Sequence, residues 1–259
     1  MALPRSSLVI VGDELLAGFT VDSNGALAAR RLFEAGYPVR RVEIVGDVVA
    51  DIAASVRRAV DDPEVARIIV CGGVGPTPDD RTHEGVAAAL GRDLVEDPTA
   101  LRLIEAQVAR MHRAGWLPSP VASAANRRMA RMASGGRVLE NLRGMAPPLA
   151  VQLGVDRWLL VLPGVPREFE AALEEAVIPE FFSRSRPLSV VELRFSGVAE
   201  ADLAGPMLQL ERDFPDVAAG SYPQPGRQLI VRLRGEDPDR VTAAAGRLGE
   251  LRGGLGGEG

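Results

Sequence analysis

The 259-residue sequence contains no lysine, and all 30 of its basic residues are arginine. A P-loop, which closes on Lys-Ser/Thr, is therefore excluded wherever glycines cluster. Cysteine is nearly missing too. Cys71 stands alone, so no intrachain disulfide can form and a reducing, cytoplasmic setting is expected. Cys71 itself reads as a small apolar residue ending a buried strand. Apolar runs are too short to span a bilayer, nothing resembles a signal peptide, and no membrane partner is expected. A basic excess is also lacking. The net charge is −5, and residues 188–259 hold eight arginines against eleven acidic residues, so no nucleic-acid partner is expected. The G-x-x-G from Gly246 to Gly249 falls inside an expected helix, not in the loop a nucleic-acid clamp needs.

What remains is a globular composition, 46% hydrophobic and 25% charged, long enough for one large core or two smaller ones. Strands and helices alternate from the start. Leu8–Val11 predicts a buried strand ending at Gly12. Asp22 or Ser23 caps a helix that runs to about Ala35, where Gly36 stops it. Pro38–Val45 predicts a second strand ending at Gly46-Asp47, and Asp51–Val60 a helix. Ile68–Val70 predicts a third strand, followed after a loop by a helix over His83–Leu90. Such alternation indicates an α/β fold with a mostly parallel sheet and helices on both faces. Ligands of such sheets sit beyond the carboxyl ends of the strands. The loops Gly12-Asp13-Glu14, Gly46-Asp47 and Gly72 to Asp80 are thus expected at one rim.

The last of these, C-G-G-V-G-P-T-P-D-D-R-T from Cys71 to Thr82, organises the reading. Glycines at a strand-to-helix junction let backbone N–H groups approach an anion, and a helix start favours the same charge. Asp79 and Asp80 would repel a phosphate by roughly 4 kcal/mol at about 4 Å and an effective dielectric near 20. A cation between them is therefore expected, and Mg²⁺ shared by carboxylates and phosphate is the usual solution. The alternative is a plain tight turn in which Asp80 or Thr82 caps the helix.

Further on, a long helix is expected from Pro98 to about Ala114, then Trp116–Pro120 as a break. A helical piece carries Arg128, a candidate phosphate ligand. Strands near Leu149–Leu153 and Arg157–Leu162 lead into Pro163-Gly164-Val165-Pro166, where Gly164 can approach a ligand and Pro166 starts a helix. A polar, proline-flanked link at Ser183–Pro187 separates residues 1–183 from a small two-layer α+β domain at 188–252, with a flexible tail at 253–259. Phe195, Phe214 and Tyr222 are expected in the core of that small domain.

Six motifs in order resemble the N-terminal part of the CinA (competence/damage-inducible protein A) family, over about Leu8 to Phe182. They are Gly12-Asp13-Glu14-Leu15-Leu16-x-Gly18, Asp22-Ser23-Asn24, Val45-Gly46-Asp47, Gly72 to Thr82, Asn141-x-x-Gly144-x-Ala146-Pro147 and Leu162-Pro163-Gly164-Val165-Pro166-x-Glu168. CinA belongs to the molybdopterin-binding superfamily of MoaB, MogA and MoeA. The resemblance implies a three-layer α/β/α domain and a homo-oligomer, dimeric as in CinA-like proteins or trimeric as in MoaB-like ones. It implies either metal-dependent hydrolysis of ADP-ribose-like nucleotides or binding and adenylylation of molybdopterin, with Asp47 and Asp80 matching the family's catalytic carboxylates. Pro148, Arg128 and Arg81 depart from the family pattern, and the deamidase domain of many CinA proteins is not expected within these residues.

On this basis the first expectation is a pyrophosphohydrolase using a divalent metal of the Mg²⁺ or Co²⁺ type. Gly72, Gly73 and Gly75 would hold phosphate, and Asp80, Asp47 and Asp79 the metal, with Glu14 assisting. Thr82 would cap the helix, and Gly12, Asn24, Gly164, Glu168 and Arg128 would complete the ligand site. The second expectation is binding or adenylylation of a pterin phosphate. The third is a nucleotide-binding module without catalysis.

Overall fold

The computed structural model describes residues 3–141, 143–182 and 187–253. Residues 183–186 of the expected link at Ser183–Pro187, and 254–259 of the expected tail at 253–259, lie outside the described residues. The chain divides into two compact units, residues 1–184 and 185–259.

Unit one runs β1 (Arg5–Val11), α1 (Asp13–Leu16), α2 (Asn24–Glu34), β2 (Val39–Val45), α3 (Val49–Asp61), β3 (Val65–Cys71) and α4 (Thr82–Leu90). There follow β4 (Leu94–Glu96), α5 (Pro98–Arg113), α6 (Ala124–Arg128), β5 (Arg131–Ala133), β6 (Arg137–Val138), β7 (Leu149–Gly154) and β8 (Arg157–Leu162). The unit ends on α7 (Pro166–Ala171), a π-helical stretch (Ala172–Val177) and α8 (Ile178–Phe181). Six strands form one sheet in the order β2-β1-β3-β8-β7-β6, and the first four are parallel.

Because the central strands are covered on both faces, β1, β3 and β8 carry continuous apolar runs, Leu8–Val11, Ile68–Cys71 and Leu159–Leu162. Val9, Val11, Ile68 and Val70 face a cluster with Ile52, Val56, Val86 and Ile104 of α3, α4 and α5. Leu8, Ile10, Ile69 and Leu160 face the other side, with Leu32 of α2, Phe169 of α7 and Leu173. The result is the three-layer α/β/α build. β4 and β5 pair antiparallel away from this sheet, and neither was read from sequence, since three residues carry no periodicity.

Unit two contains β9 (Ser189–Ser196), a 3₁₀ turn (Glu200–Leu203), α9 (Ala204–Asp213), β10 (Ala218–Gln224), β11 (Gln228–Gly235) and α10 (Pro238–Gly253). Its antiparallel sheet has the order β10-β11-β9. Leu229, Val231 and Leu233 are buried against α9 and α10, while Arg232 and Arg234 alternate outward. Phe195 joins this core and Phe214 packs at its border. Tyr222 does not. It lies on the edge strand β10, 40% exposed, with the Arg232 guanidinium stacked 5.1 Å from its ring.

Candidate functional site

β1, β2, β3 and β8 run parallel, so their carboxyl ends share one edge. The chain leaves β1 toward β2 on one side, while β3 pairs with β8 on the other. A crevice forms at this reversal. A cavity of about 450 Å³ opens there, with Glu14, Asp22, Asn24, Gly73, Asp80 and Glu168 on its walls.

Two loops are clasped to each other. The Asp13 amide donates to Asp47 Oδ2 at 2.9 Å, and the Asp47 amide donates to Asp13 Oδ1 at 3.2 Å. Each carboxylate thus satisfies the other's backbone. Burial raises the pKa of Asp47 above the usual carboxylate range, the Asp13 amide opposes this, and the charges of Asp13, Glu14 and Asp79 add to the rise. Asp47 is absent from the cavity wall.

The glycine loop behaves differently at each position. Gly72 donates its N–H to Leu162 O at 3.2 Å and accepts at its carbonyl from the Thr82 hydroxyl at 2.7 Å. Its expected role as a phosphate donor is therefore corrected, because pairing with β8 continues one residue beyond β3. Gly12 is engaged in the same way, donating to Val45 O at 3.0 Å. By contrast, the amides of Gly73, Val74 and Gly75 have no acceptor among the described residues. Gly73 has φ +59°, and a Cβ there would stand 2.5 Å from Thr82 Oγ1 and 3.2 Å from Asp47 Oδ1. Only glycine can hold this turn without strain.

Thr82 is the first residue of α4, not its cap. Arg81 occupies the cap position, and no side chain caps the helix. Asp80 does not cap it either: its Oδ2 accepts from Thr77 N at 2.8 Å and Thr77 Oγ at 2.5 Å. That leaves Asp80 Oδ1 open beside Gly75. Asp79 is exposed, and the Thr77 hydroxyl draws its carboxyl below the usual range. Among the described residues no three His, Cys, Asp or Glu side chains lie together so as to hold a metal ion. The expected trio of Asp47, Asp79 and Asp80 is thus not a preformed ligand set.

The far walls are fixed by two asparagines. Asn24, buried at the start of α2, donates to Gly164 O at 2.8 Å and to Cys71 Sγ at 3.2 Å, tying helix to strands. Asp22, rather than Ser23, steadies that helix start by accepting from the Gly25 amide at 2.9 Å. Gly164 lies so near Gly72 that a Cβ on it would stand 2.9 Å from Gly72 Cα. Burial pushes the Cys71 thiol up to about 12, which keeps it inert. Asn141 uses its whole side chain. It donates to Ala146 O at 2.9 Å and Glu168 Oε2 at 3.1 Å, and accepts from the amides of Arg143 and Gly144. Its Asn-x-x-Gly spacing was visible in sequence, whereas its bond to Glu168, 27 residues on, was not.

Arg128 is not brought into the cavity. It reaches Pro78 O at 3.2 Å and pairs with Glu84 at 3.6 Å, beside a much smaller cleft that also holds His83. His83 is buried with Nδ1 unpartnered, and burial lowers its pKa to about 4. No basic side chain lines the main cavity among the described residues. The charged side chains that meet a ligand there are all carboxylates.

Comparison with known proteins places this geometry in context. A family described as "Probable molybdopterin binding domain" matches residues 7–182. A Pyrococcus horikoshii protein is 43% identical over 186 residues, 71% of this chain and 71% of its own length. A CinA-like protein of Myxococcus xanthus is 38% identical over 247 residues, 93% of this chain and 56% of that protein. The crystal structure of CinA from Thermoplasma acidophilum, described as a protein with unknown function, superposes with a TM-score of 0.59. It shares 33% identity and covers 70% of this chain and 98% of its own.

Proposed function

The chain belongs to the probable molybdopterin binding domain family, and from that premise we propose that its cavity binds a phosphorylated pterin of the molybdopterin class. One observation carries the reading: three residues whose amides have no acceptor among the described residues line the same cavity as carboxylate oxygens without donors. The amides of Gly73, Val74 and Gly75 suit a phosphate, since they belong to a cavity-lining glycine loop that the Thr82 amide at the start of α4 holds through Gly73 O. A pterin presents a ring N–H beside an exocyclic amine, a donor pair that a carboxylate accepts as it accepts a guanidinium. Glu14 offers two oxygens and Glu168 one, its Oε2 being held by Asn141. Val11, Met129 and Met145 supply apolar wall for the ring faces.

A phosphate at these amides sits close to Asp80, which raises the charge problem noted above. Asp80 Oδ1 is the group that would share a divalent cation with the ligand's phosphate, an arrangement in which substrate supplies part of the coordination. Hydrolysis of ADP-ribose is the weaker reading, because Asp47, its second carboxylate, has Oδ2 engaged by the Asp13 amide and is not among the residues that line the cavity, although its Oδ1 lies next to Gly73.

Titration of pterin fluorescence tests the proposal. Saturable binding of a pterin phosphate is expected, weakened by EDTA and by removal of the phosphate. Release of AMP from ADP-ribose, with no response to the pterin, would replace this reading with the hydrolase. A nucleotidyl product formed with Mg-ATP would extend it from binding to transfer.

A further inference from the structure

β2 is the outermost strand on its side of the six-stranded sheet, so one row of its backbone N–H and C=O groups has no partner strand. Such edges are ordinarily shielded by charge, brevity or a covering loop. Here Val42 and Ile44 are 46% and 41% exposed, on the face they share with Leu8 and Ile10 of β1. Leu16 and Val48 continue the apolar surface at the strand's carboxyl end; a Cβ on Gly46 would stand 3.5 Å from a Leu16 methyl. The pairing of β2 with β1 shifts register next to Arg40, then runs in step from Arg41 to Val45. A regular five-residue edge, Arg41-Val42-Glu43-Ile44-Val45, is therefore on offer.

We propose that this edge pairs with itself, joining two copies of the chain by antiparallel β2–β2 contact about a twofold axis through Val42. The order of charges selects that register. In an antiparallel pair, directly opposed residues share a face, and like charges placed opposite each other are unfavourable. An axis through Arg41 or Glu43 opposes like charges, and one through Ile44 matches no two charges within β2. An axis through Val42 sets Arg41 against Glu43 of the second copy, and does so twice by symmetry. It also sets Val42 against Val42, with Ile44 on the diagonal, so the exposed apolar pair is covered. Arg41 and Glu43 already lie 3.4 Å apart within one strand. Glu43 faces α3, where Ser55 and Arg58 donate to it, so it meets the second copy already oriented.

The pairing does not depend on what the cavity binds. Light scattering of the full chain should give twice the monomer mass at micromolar concentration. Val42→Cys should then form an intermolecular disulfide under mild oxidation, without interference from the buried native thiol. Val155→Cys, at a position 98% exposed on the β7–β8 turn, should not. Arg41→Glu should weaken association by about tenfold or more, and Arg41→Glu with Glu43→Arg should restore it, because the swap keeps the strand self-complementary. A monomer at every concentration overturns the proposal, and so does a trimer, which a twofold edge contact cannot build. A dimer that ignores both Val42→Cys and Arg41→Glu places the contact elsewhere and overturns it equally.

Discussion

The two ends of the parallel sheet are opposites in charge and in hydrogen bonding. At the carboxyl end, Glu14, Asp22, Asp80 and Glu168 surround amides that have no acceptor, with no arginine among them. At the amino end, Arg67 is 1% exposed and fully engaged. It donates to the carbonyls of Phe181, Ala66 and Asp156, to the Asp156 carboxylate at 2.6 Å and to the Tyr37 hydroxyl at 3.4 Å. Its guanidinium also stacks on Tyr37. Arg157 nearby donates to the carbonyls of Val65, Val60 and Asp62. One end is saturated with internal donors and serves stability. The other keeps polar groups unmatched, which has no structural return and leaves them for a ligand.

The amino end should therefore be the place where one substitution costs most. Arg67→Ala leaves the carbonyls of Phe181 and Asp156 without their donor and opens a hole beside Tyr37 and Phe182. A loss of about 3–5 kcal/mol is expected in urea unfolding, with ligand affinity unchanged in the protein that remains folded. A loss under about 1 kcal/mol would erase the contrast between the ends.

The next effect lies behind the glycine rim. His83 is buried and neutral, and its Nδ1 is the one buried side-chain polar atom without a partner among the described residues. Its folded pKa, about 4, lies below the ordinary value of 6.5. The unfolded chain takes up this proton first as the solution is acidified. Stability present above pH 6.5 is thus lost between 6.5 and about 4, to a total near 3 kcal/mol, and the loss is complete below that. His83→Leu should remove this part of the acid limb. An unchanged limb would mean that His83 is hydrated in the folded protein.

Much of this was legible in sequence, for reasons that differ by residue. β1, β3 and β8 could be read because burial on both faces makes their apolar runs continuous, while β2, at the exposed edge, was bounded by Pro38 and Gly46. The shared rim followed from strand polarity alone. Which amides stay free could not be read: whether Gly72 pairs with β8 depends on where that ladder stops, and its partner Leu162 is 90 residues away. Arg128 looked like a phosphate ligand because nothing local revealed Glu84 as its partner. Tyr222 was expected inside with Phe195 and Phe214, yet an edge strand has one face with little to pack against. Arg67 drew no comment at all, since an arginine inside a valine-isoleucine run shows its purpose only through carbonyls distant in sequence.

Gly73→Ala probes the rim directly. A side chain at φ +59° costs about 1–2 kcal/mol, and this Cβ also meets Thr82 Oγ1. Gly91 has φ +61° with nothing within 4 Å of its Cβ position, so Gly91→Ala supplies the same strain without the contact. Both variants should lose similar stability in unfolding experiments, the first somewhat more. Only Gly73→Ala should also abolish ligand binding. Equal binding by the two would detach the glycine loop from the ligand.

The smallest effect is expected at the Asp13–Asp47 clasp, and there the sign matters more than the size. Asp47→Asn keeps an oxygen to accept the Asp13 amide but removes a charge that burial and three neighbouring carboxylates disfavour. A carboxyl whose pKa is raised on folding lowers stability once it ionises. The cost is absent below the unfolded value of 3.8, grows as pH rises to the folded value and is constant above it. Asp47→Asn should therefore raise the melting temperature slightly at neutral pH, and the gain should vanish in acid. A fall at neutral pH would show that the Asp47 charge is needed where it stands. The clasp would then belong with the saturated, stabilising end of the sheet, and the division between the two ends would no longer hold.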